Sequence, residues 1–374
     1  MYQHSSFNQD LSLFQKIRSF DYTLLICILL LGLISGLSMY STDGGELLFH
    51  SKSHIFKFSI FFSLMILLSF LNIKFWHYYG YIFYIVVLLF LIWASLYGIK
   101  ASGSQRWINL YFINFQPSEL MKITIILCLA KYYHRIQLDK VSSFKSTLIV
   151  LVILILPIML VISQPDLGTS ILIAFSGLTV LWLAGFNLKY FLYSFLTLII
   201  SMPFVISFLK PYQKLRILTF LNPDRDPLGA GYQIIQSKIA IGSGGFTGKG
   251  FLKGTQNYLE FLPEKHTDFI FTLFAEEYGF LGSIGLLLIY IVIIIRIINI
   301  GVISRSYFAK LFCYGYASAI FFYITVNMSM VLGLLPIVGS PLPIMSYGGS
   351  SMLATMIGFS IIMSAKINHK QLIG

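Results

Sequence analysis

Residues 22–41 read YTLLICILLLGLISGLSMYS, twenty positions without a charge. As a helix, that stretch is long enough to cross the roughly 30 Å hydrocarbon core of a bilayer. Lys16 and Arg18 precede it, as they would a signal peptide. The run is too long for a signal h-region and no small-residue cleavage site follows, so it is expected to be a retained first span. Working outward, comparable segments lie at roughly 54–72, 77–99, 118–133, 146–163, 168–186, 188–209, 269–295, 306–334 and 345–365. In lipid every backbone amide must be satisfied internally. The expected fold class is therefore all-α, a polytopic membrane bundle of about ten transmembrane helices within a single domain, 1–374.

Composition agrees. Hydrophobic residues make up 57% of the 374 and charged residues 11%, against roughly 25% charged in soluble chains; mean hydropathy is +0.82. The net charge of +12 lies mainly in loops between spans, with no aromatic-interleaved stripe, so no nucleic-acid partner is expected. Cys27, Cys128 and Cys313 fall inside apolar runs, without ligand or redox spacing, and read as packing residues.

Orientation follows from the cations. Lys16, Arg18, Lys74, Lys131, Arg135, Lys140, Lys145, Lys189, Arg296, Arg305, Lys310, Lys366 and Lys370 fall on one side. Lys52, Lys57, Lys100 and Arg106 fall in short loops on the other. The positive-inside rule makes the first side cytoplasmic, with both termini there.

The segment 210–268 is then a long extracytoplasmic loop. It opens on NPDRDP (222–227), continues into a candidate amphipathic helix over 232–241, and then gathers glycines at 242, 244, 245, 248, 250 and 254. Such a loop is expected to be functional rather than connective. The glycines fit neither a dinucleotide fingerprint nor a P-loop: Thr247 stands where a third Gly is needed, and Gly250 follows Lys249 where Ser or Thr is needed. Backbone turns, or close approach to a lipid-linked substrate, are the readings left.

Charges in or near the membrane are costly and are functional hypotheses by default. Glu119 and Lys122 share a helix face, either as a self-neutralising buttress or with Lys122 turned to a substrate phosphate. Asp166 suits the N-cap of the sixth span, or a catalytic or cation-positioning role. Arg106 stands beside Trp107 in an outer loop, as an anchor or a binding cation. Asp268 opens the eighth span with Thr267 as its expected cap. Glu276 and Glu277 lie deeper, and at least one of the three carboxylates should face a polar cavity.

These residues fall in stretches that resemble a known family. NPDRDPLGAGYQIIQSKIAIGSGGFTGKGFLKGTQNYLEFLPEKHTDFIFTLFAEEYG (222–279) looks like the long outer loop of the SEDS proteins, and its GTQ and LEFLPEKHTDFIF wording resembles the branch typified by RodA. SGSQRW (102–107), NFQPSELMKI (114–123), QPDLGTSILIAFSG (164–177) and LGLLPIVGSPLPIMSYGGSS (332–351) follow in family order. The resemblance implies a multi-pass protein of the bacterial inner (plasma) membrane. It would polymerise lipid II into glycan strands for cell elongation, inverting the anomeric centre and releasing undecaprenyl pyrophosphate. Its partners would be a class B penicillin-binding protein, which crosslinks the strands, and other elongation-complex membrane proteins. The family's essential carboxylate falls on Asp268, its ion pair on Glu119 and Lys122, and its polar cavity residues on Arg106 and Asp166; Arg106, Lys122 and Asp166 are the residues expected to bind substrate. A divalent cation, Mg or Mn, would suit the departing pyrophosphate. A helix N-terminus would lower the pKa of Asp268 and desolvation would raise it, and both readings stay open.

Two rivals remain at this point. A lipid II flippase would use the buried charges and the Pro- and Gly-broken stretch 336–349, but no internal repeat shows in hydropathy. A non-catalytic scaffold for a transpeptidase leaves the long loop and Asp268 without a purpose.

Overall fold

The computed structural model describes residues 12–101, 104–109, 114–208, 211–226, 229–255 and 261–373. Its helices are α1 (Leu13–Arg18), α2 (Tyr22–Thr42), α3 (Phe49–Ser69), α4 (Ile73–Tyr97), α5 (Pro117–His134), α6 (Phe144–Ser163), α7 (Leu167–Leu183) and α8 (Leu188–Phe208). There follow α9 (Pro211–Leu221), α10 (Ala230–Gly244), α11 (Ile270–Ile303), α12 (Tyr307–Val331) and α13 (Gly349–Ile367). Seven of these are long and apolar enough to span a membrane: α2, α3, α4, α6, α11, α12 and α13. With α7, the apolar stretch Leu188–Met202 of α8, and α5, they account for the ten expected segments among the described residues.

The most polar of the ten, α5, sits innermost. It packs against α4, α7, α12 and α13, and 15 of its 18 residues are buried. Protein surrounds it, not lipid, so Glu119, Lys122 and Lys131 can be matched by other helices. Lys131, for example, donates to the Tyr78 carbonyl at 2.7 Å. On α6 the apolar side chains Leu148, Val152, Ile155 and Met159 stay exposed, as a lipid-facing surface requires.

Polar side chains also hide where α3 starts. The helix begins at Phe49, so Lys52 lies inside it and not in the loop before it, as the hydropathy boundary suggested, and Lys57, counted with the loop cations, lies deeper in the same helix. Ser51 and His54 turn inward there, and the Lys57 ammonium reaches the Tyr347 hydroxyl at 3.0 Å. At the other end of α2, Asp21 caps the helix through Leu24 N and takes a two-pronged pair from Arg296 at 2.5 and 3.2 Å.

One non-helical element joins the bundle. Strands β1 (Ile99–Ala101), β2 (Ser104–Asn109) and β3 (Asn114–Phe115) form an antiparallel ribbon in the order β1-β2-β3, pairing Lys100 with Gln105 and Ile108 with Phe115. It holds Arg106 on its middle strand, next to α4 and α5.

The long loop is folded. Residues 210, 227–228 and 256–260, including part of the GTQNYLEF stretch, lie outside the described residues. The candidate amphipathic helix is α10, whose buried Ile234, Ser237 and Ala240 recur every three residues. It packs along α11, where Ser237 shares a hydrogen bond with Thr272 (2.7 Å) and donates to the Val331 carbonyl (2.7 Å).

Beyond α10 the glycine cluster threads a break in α11. Gly279 has φ +64°, which interrupts the helical ladder. The loop replaces the missing bonds: Phe280 N donates to Gly245 O, Leu281 N to Phe246 O, Lys249 N to Glu276 O and Gly250 N to Glu277 O, all at 3.0–3.1 Å. A Cβ on Gly248 would stand 2.1 Å from Glu277 O, so only glycine allows this backbone approach. The glycines therefore serve turns and contact with α11.

This insertion also accounts for the two deeper carboxylates. Glu276 is fully buried, and one of its oxygens receives Lys249 Nζ (2.7 Å), Thr255 N (2.9 Å) and Thr255 Oγ1 (2.9 Å). Glu277 is held by the Ser41 hydroxyl and the Leu252 backbone. The returning loop satisfies Glu276, and the loop together with Ser41 of α2 satisfies Glu277. Thr267 is likewise not a cap: α11 starts at Ile270, and the Thr267 hydroxyl donates to Glu264.

Candidate active site

Four separate pieces of chain meet where the loop returns to α11. The first is β2, which carries Arg106. The second is the start of α5, where Pro117 sits in the first turn and its fixed φ suits helix initiation. The third is the start of α7, capped by Asp166, which accepts from Thr169 N at 3.1 Å. The fourth is the stretch 264–269 ahead of α11.

Asp166 joins the first three. Its other oxygen takes Arg106 Nη1 at 3.0 Å and Gln116 Nε2 at 3.1 Å, and the side chain is almost fully buried. The capping role is thus present, and it coexists with an ion pair. The Arg106 guanidinium is not exhausted by this contact. Its Nε is buried with no partner among the described residues, and an unsatisfied buried donor is costly unless a ligand meets it. Close backbone contact fixes the assembly from behind: a Cβ on Gly168 would stand 2.2 Å from Val338 O.

Glu119 and Lys122 lie one turn further in. Lys122 Nζ sits 2.7 Å from Glu119 Oε1 and 4.1 Å from the centre of the Tyr323 ring. The Tyr323 hydroxyl donates to the other Glu119 oxygen at 3.0 Å. The cavity beside the pair, lined also by Tyr316 and Thr355, measures about 10 Å³, room for one water.

Asp268 is in a different state. It is half-buried, and among the described residues no hydrogen bond or ion pair reaches its carboxylate. Its backbone is fixed instead: Asn327 Nδ2 donates to its carbonyl (2.9 Å) and to that of Ser340 (2.7 Å). On either side, Ser346 Oγ bonds Thr267 O (2.7 Å) and Tyr347 N bonds His266 O (2.8 Å). Burial pushes the Asp268 carboxyl up from its ordinary 3.8 to about 7. The charge of Glu264 adds to the rise, Arg106 opposes it, and Asp166 and Glu119 raise it further. Desolvation therefore outweighs any helix-terminus effect, and a carboxylate near 7 is suited to exchange a proton at neutral pH.

The residues singled out in the sequence thus converge. Asn327, Ser340, Tyr323 and Gln116 were not singled out, yet they hold the site together. Asn327 and Tyr323 had a legible signal, two polar side chains four apart in an apolar helix. Asn327 Oδ1 and Ser340 Oγ are buried without partners among the described residues, so acceptor and hydroxyl groups stand ready beside Asp268.

Comparison with known proteins identifies the family. The FtsW/RodA/SpoVE family of cell cycle proteins matches residues 17–371. The chain is 40% identical over 353 residues to the peptidoglycan glycosyltransferase MrdB of Escherichia coli K12, covering 94% of this chain and 95% of that protein. It is 32% identical over 359 residues to a probable peptidoglycan glycosyltransferase FtsW of Buchnera aphidicola, covering 93% and 94%. Among solved structures, it matches a chain of a peptidoglycan synthase complex that coordinates polymerization and crosslinking, with TM-score 0.80, 29% identity and coverage of 93% and 97%. The rod shape determining protein RodA of Thermus thermophilus shares the fold, with TM-score 0.71 at 23% identity and coverage of 94% and 98%. The chain belongs to this SEDS family, and it is a peptidoglycan glycosyltransferase of the RodA/MrdB type in a multi-pass membrane fold. The flippase and scaffold alternatives fall with that assignment.

Proposed function

We propose that this glycosyltransferase polymerises lipid II, with Asp268 as general base and Arg106 facing the pyrophosphate of the departing lipid carrier. The acceptor sugar hydroxyl attacks the anomeric carbon of the donor and gives its proton to Asp268. The bond from that carbon to undecaprenyl pyrophosphate breaks, and the electron pair leaves with the phosphate oxygen. Base and leaving group stand on opposite faces of the sugar, so the centre inverts. Arg106, held by Asp166 and with Nε unpartnered among the described residues, meets the charge that develops on the leaving group. The observation that carries the reading is the Asp268 carboxylate, unpaired among the described residues and raised to about 7 within electrostatic reach of Arg106 and Asp166. Glu119 and Lys122 act here as the buried pair that supports the α5 end of the site.

The Mg or Mn ion expected from the resemblance belongs with the substrate's pyrophosphate. Among the described residues Asp268 shares no site with two further ligand side chains. The protein thus supplies no preformed cage there, and no step is assigned to the ion.

We place the protein in the bacterial inner membrane with both termini cytoplasmic and 210–268 outside, on the strength of the cation asymmetry. Its working partner is a class B penicillin-binding protein within a larger elongation assembly; the likeness to a chain of a peptidoglycan synthase complex supports this. A single cysteine at Lys253 should label from outside the cell, and labelling only from the cytoplasm would overturn the orientation.

Asp268→Asn tests the chemistry. Asn keeps the shape but cannot take the proton, so the variant should insert and bind lipid II while polymerising at least ~10²-fold more slowly. Near wild-type polymer from it would remove the base assignment.

A further inference from the structure

The wall that faces Asp268 is the stretch 338–340, between α12 and α13. It touches both poles of the site. On the Arg106 side, the Val338 carbonyl lies against Gly168, two residues beyond Asp166, where a Cβ would stand only 2.2 Å from it. On the other side, the Asn327 amide gives one hydrogen to the Ser340 carbonyl (2.7 Å) and one to the Asp268 carbonyl (2.9 Å). Asn327 is fully buried, so its amide fixes the separation of these two backbones from inside the bundle. A carboxylate or an aliphatic side chain has no pair of hydrogens with which to bridge two carbonyls.

A gap lies between the two clamped backbones. Gly339 has φ +68°, a left-handed conformation that glycine adopts without steric cost. A Cβ on it would stand 3.5 Å from Asp268 Oδ2. Apart from its chain neighbours, no other atom of the described residues comes within 4 Å of that position. Gly339 and Asp268 are both half-buried, so the gap opens to the surface and is not sealed in the core.

We propose that the gap between Gly339 and Asp268 seats the acceptor sugar hydroxyl, and that residue 339 must lack a side chain to leave the seat open. The proposal rests on the reading of Asp268 as general base. A hydroxyl that gives its proton to a carboxylate has to approach one of its oxygens to about 2.6–3.2 Å. A side chain at 339 would begin 3.5 Å from Oδ2, so it and the hydroxyl compete for the same volume. The seat puts the acceptor at the stretch 338–340 and leaves Arg106 to the departing pyrophosphate. Asn327 acts through Asp268 and Ser340 as a positioning residue, because it sets the width of the gap.

Gly339→Ala and Gly339→Asn separate crowding from backbone strain, since the two causes rank them in opposite order. Asn enters the left-handed region more readily than Ala, so strain alone makes Gly339→Asn the milder change. Crowding makes it the more severe. Each full-length variant, purified in detergent, is measured for thermal midpoint, retention of labelled lipid II and polymerisation rate per folded protein. The expected result is a loss of about tenfold for Gly339→Ala and ~10²-fold for Gly339→Asn, with lipid II retained by both. Gly339→Asn should melt no lower than Gly339→Ala. Polymerisation by Gly339→Asn at or above the rate of Gly339→Ala overturns the seat. If Gly339→Asn does not accumulate, Gly339→Ala decides, and a wild-type rate per folded protein overturns the seat. Asp268→Asn is run alongside. Polymer from it removes the base reading whatever the Gly339 variants do. If it is silent while Gly339→Asn is active, the base stands and the seat falls.

Discussion

Asp268 and Glu276 stand eight residues apart on one stretch of chain, and the protein treats their charges in opposite ways. Glu276 is deeper and fully buried, yet one of its oxygens collects an ammonium, an amide and a hydroxyl. Asp268 is less deeply placed, yet nothing among the described residues bonds its carboxylate, and burial pushes it up to about 7. A buried charge that is fully matched is fixed, and it locks the loop to α11. One that is left unmatched can change its protonation state. The difference lies in the partners each carboxylate is given rather than in its depth.

The strongest way to break this contrast is to unmatch Glu276. Lys249→Ala should leave a buried carboxylate without its cation, a loss of about 3–5 kcal/mol, seen as a steep fall in the level of folded protein in the membrane. Glu276→Gln combined with Lys249→Met removes both charges and should recover most of that level. Normal accumulation of Lys249→Ala would show that the pair does not hold the loop.

A smaller effect is expected at Glu119 and Lys122, which sharpen the same distinction. Lys122→Ala should cost about 3 kcal/mol, at the low end for a broken buried pair. Tyr323 still donates to Glu119, and the adjoining cavity has room for a water. The double change Glu119→Gln with Lys122→Met should accumulate better than Lys122→Ala alone. If instead the double variant accumulates like the wild type but makes no polymer from lipid II, Lys122 serves the substrate and the buttress assignment fails.

How far the sequence reveals this contrast depends on what each feature needs. The spans were legible because a bilayer demands long apolar runs; that α5 is a core helix was not, because its neighbours in the fold make it one. Asp166 as a cap was legible because capping is local. The fates of Glu276 and Glu277 were not, since their partners Lys249 and Ser41 lie 27 and 236 residues away and meet them only once the glycine segment and α2 pack against α11. The bond pattern that orders Asp268 was hidden for the same reason: Asn327 and Ser340 are distant in sequence and reach it only through the packed bundle.

The pH dependence tests Asp268 first without reference to substrate. Its carboxyl titrates near 7 when folded and near 3.8 when unfolded. Below about pH 4 it is protonated in both states and makes no difference to stability. Between about pH 4 and 7 the folded state holds a proton that the unfolded state has released, so this group makes stability fall as pH rises, until the folded carboxyl ionises too. Above 7 the penalty is constant. Asn has no such titration. Asp268→Asn should therefore match the wild type near pH 4 and unfold a few degrees higher near pH 8. Polymerisation by the wild type should run the other way, rising as the pH passes through about 7, because only the ionised form can accept the proton. Parallel melting curves for the two proteins across this range would mean that the carboxylate is solvated after all. The contrast with Glu276 would then have to be explained by something other than the partners each side chain is given.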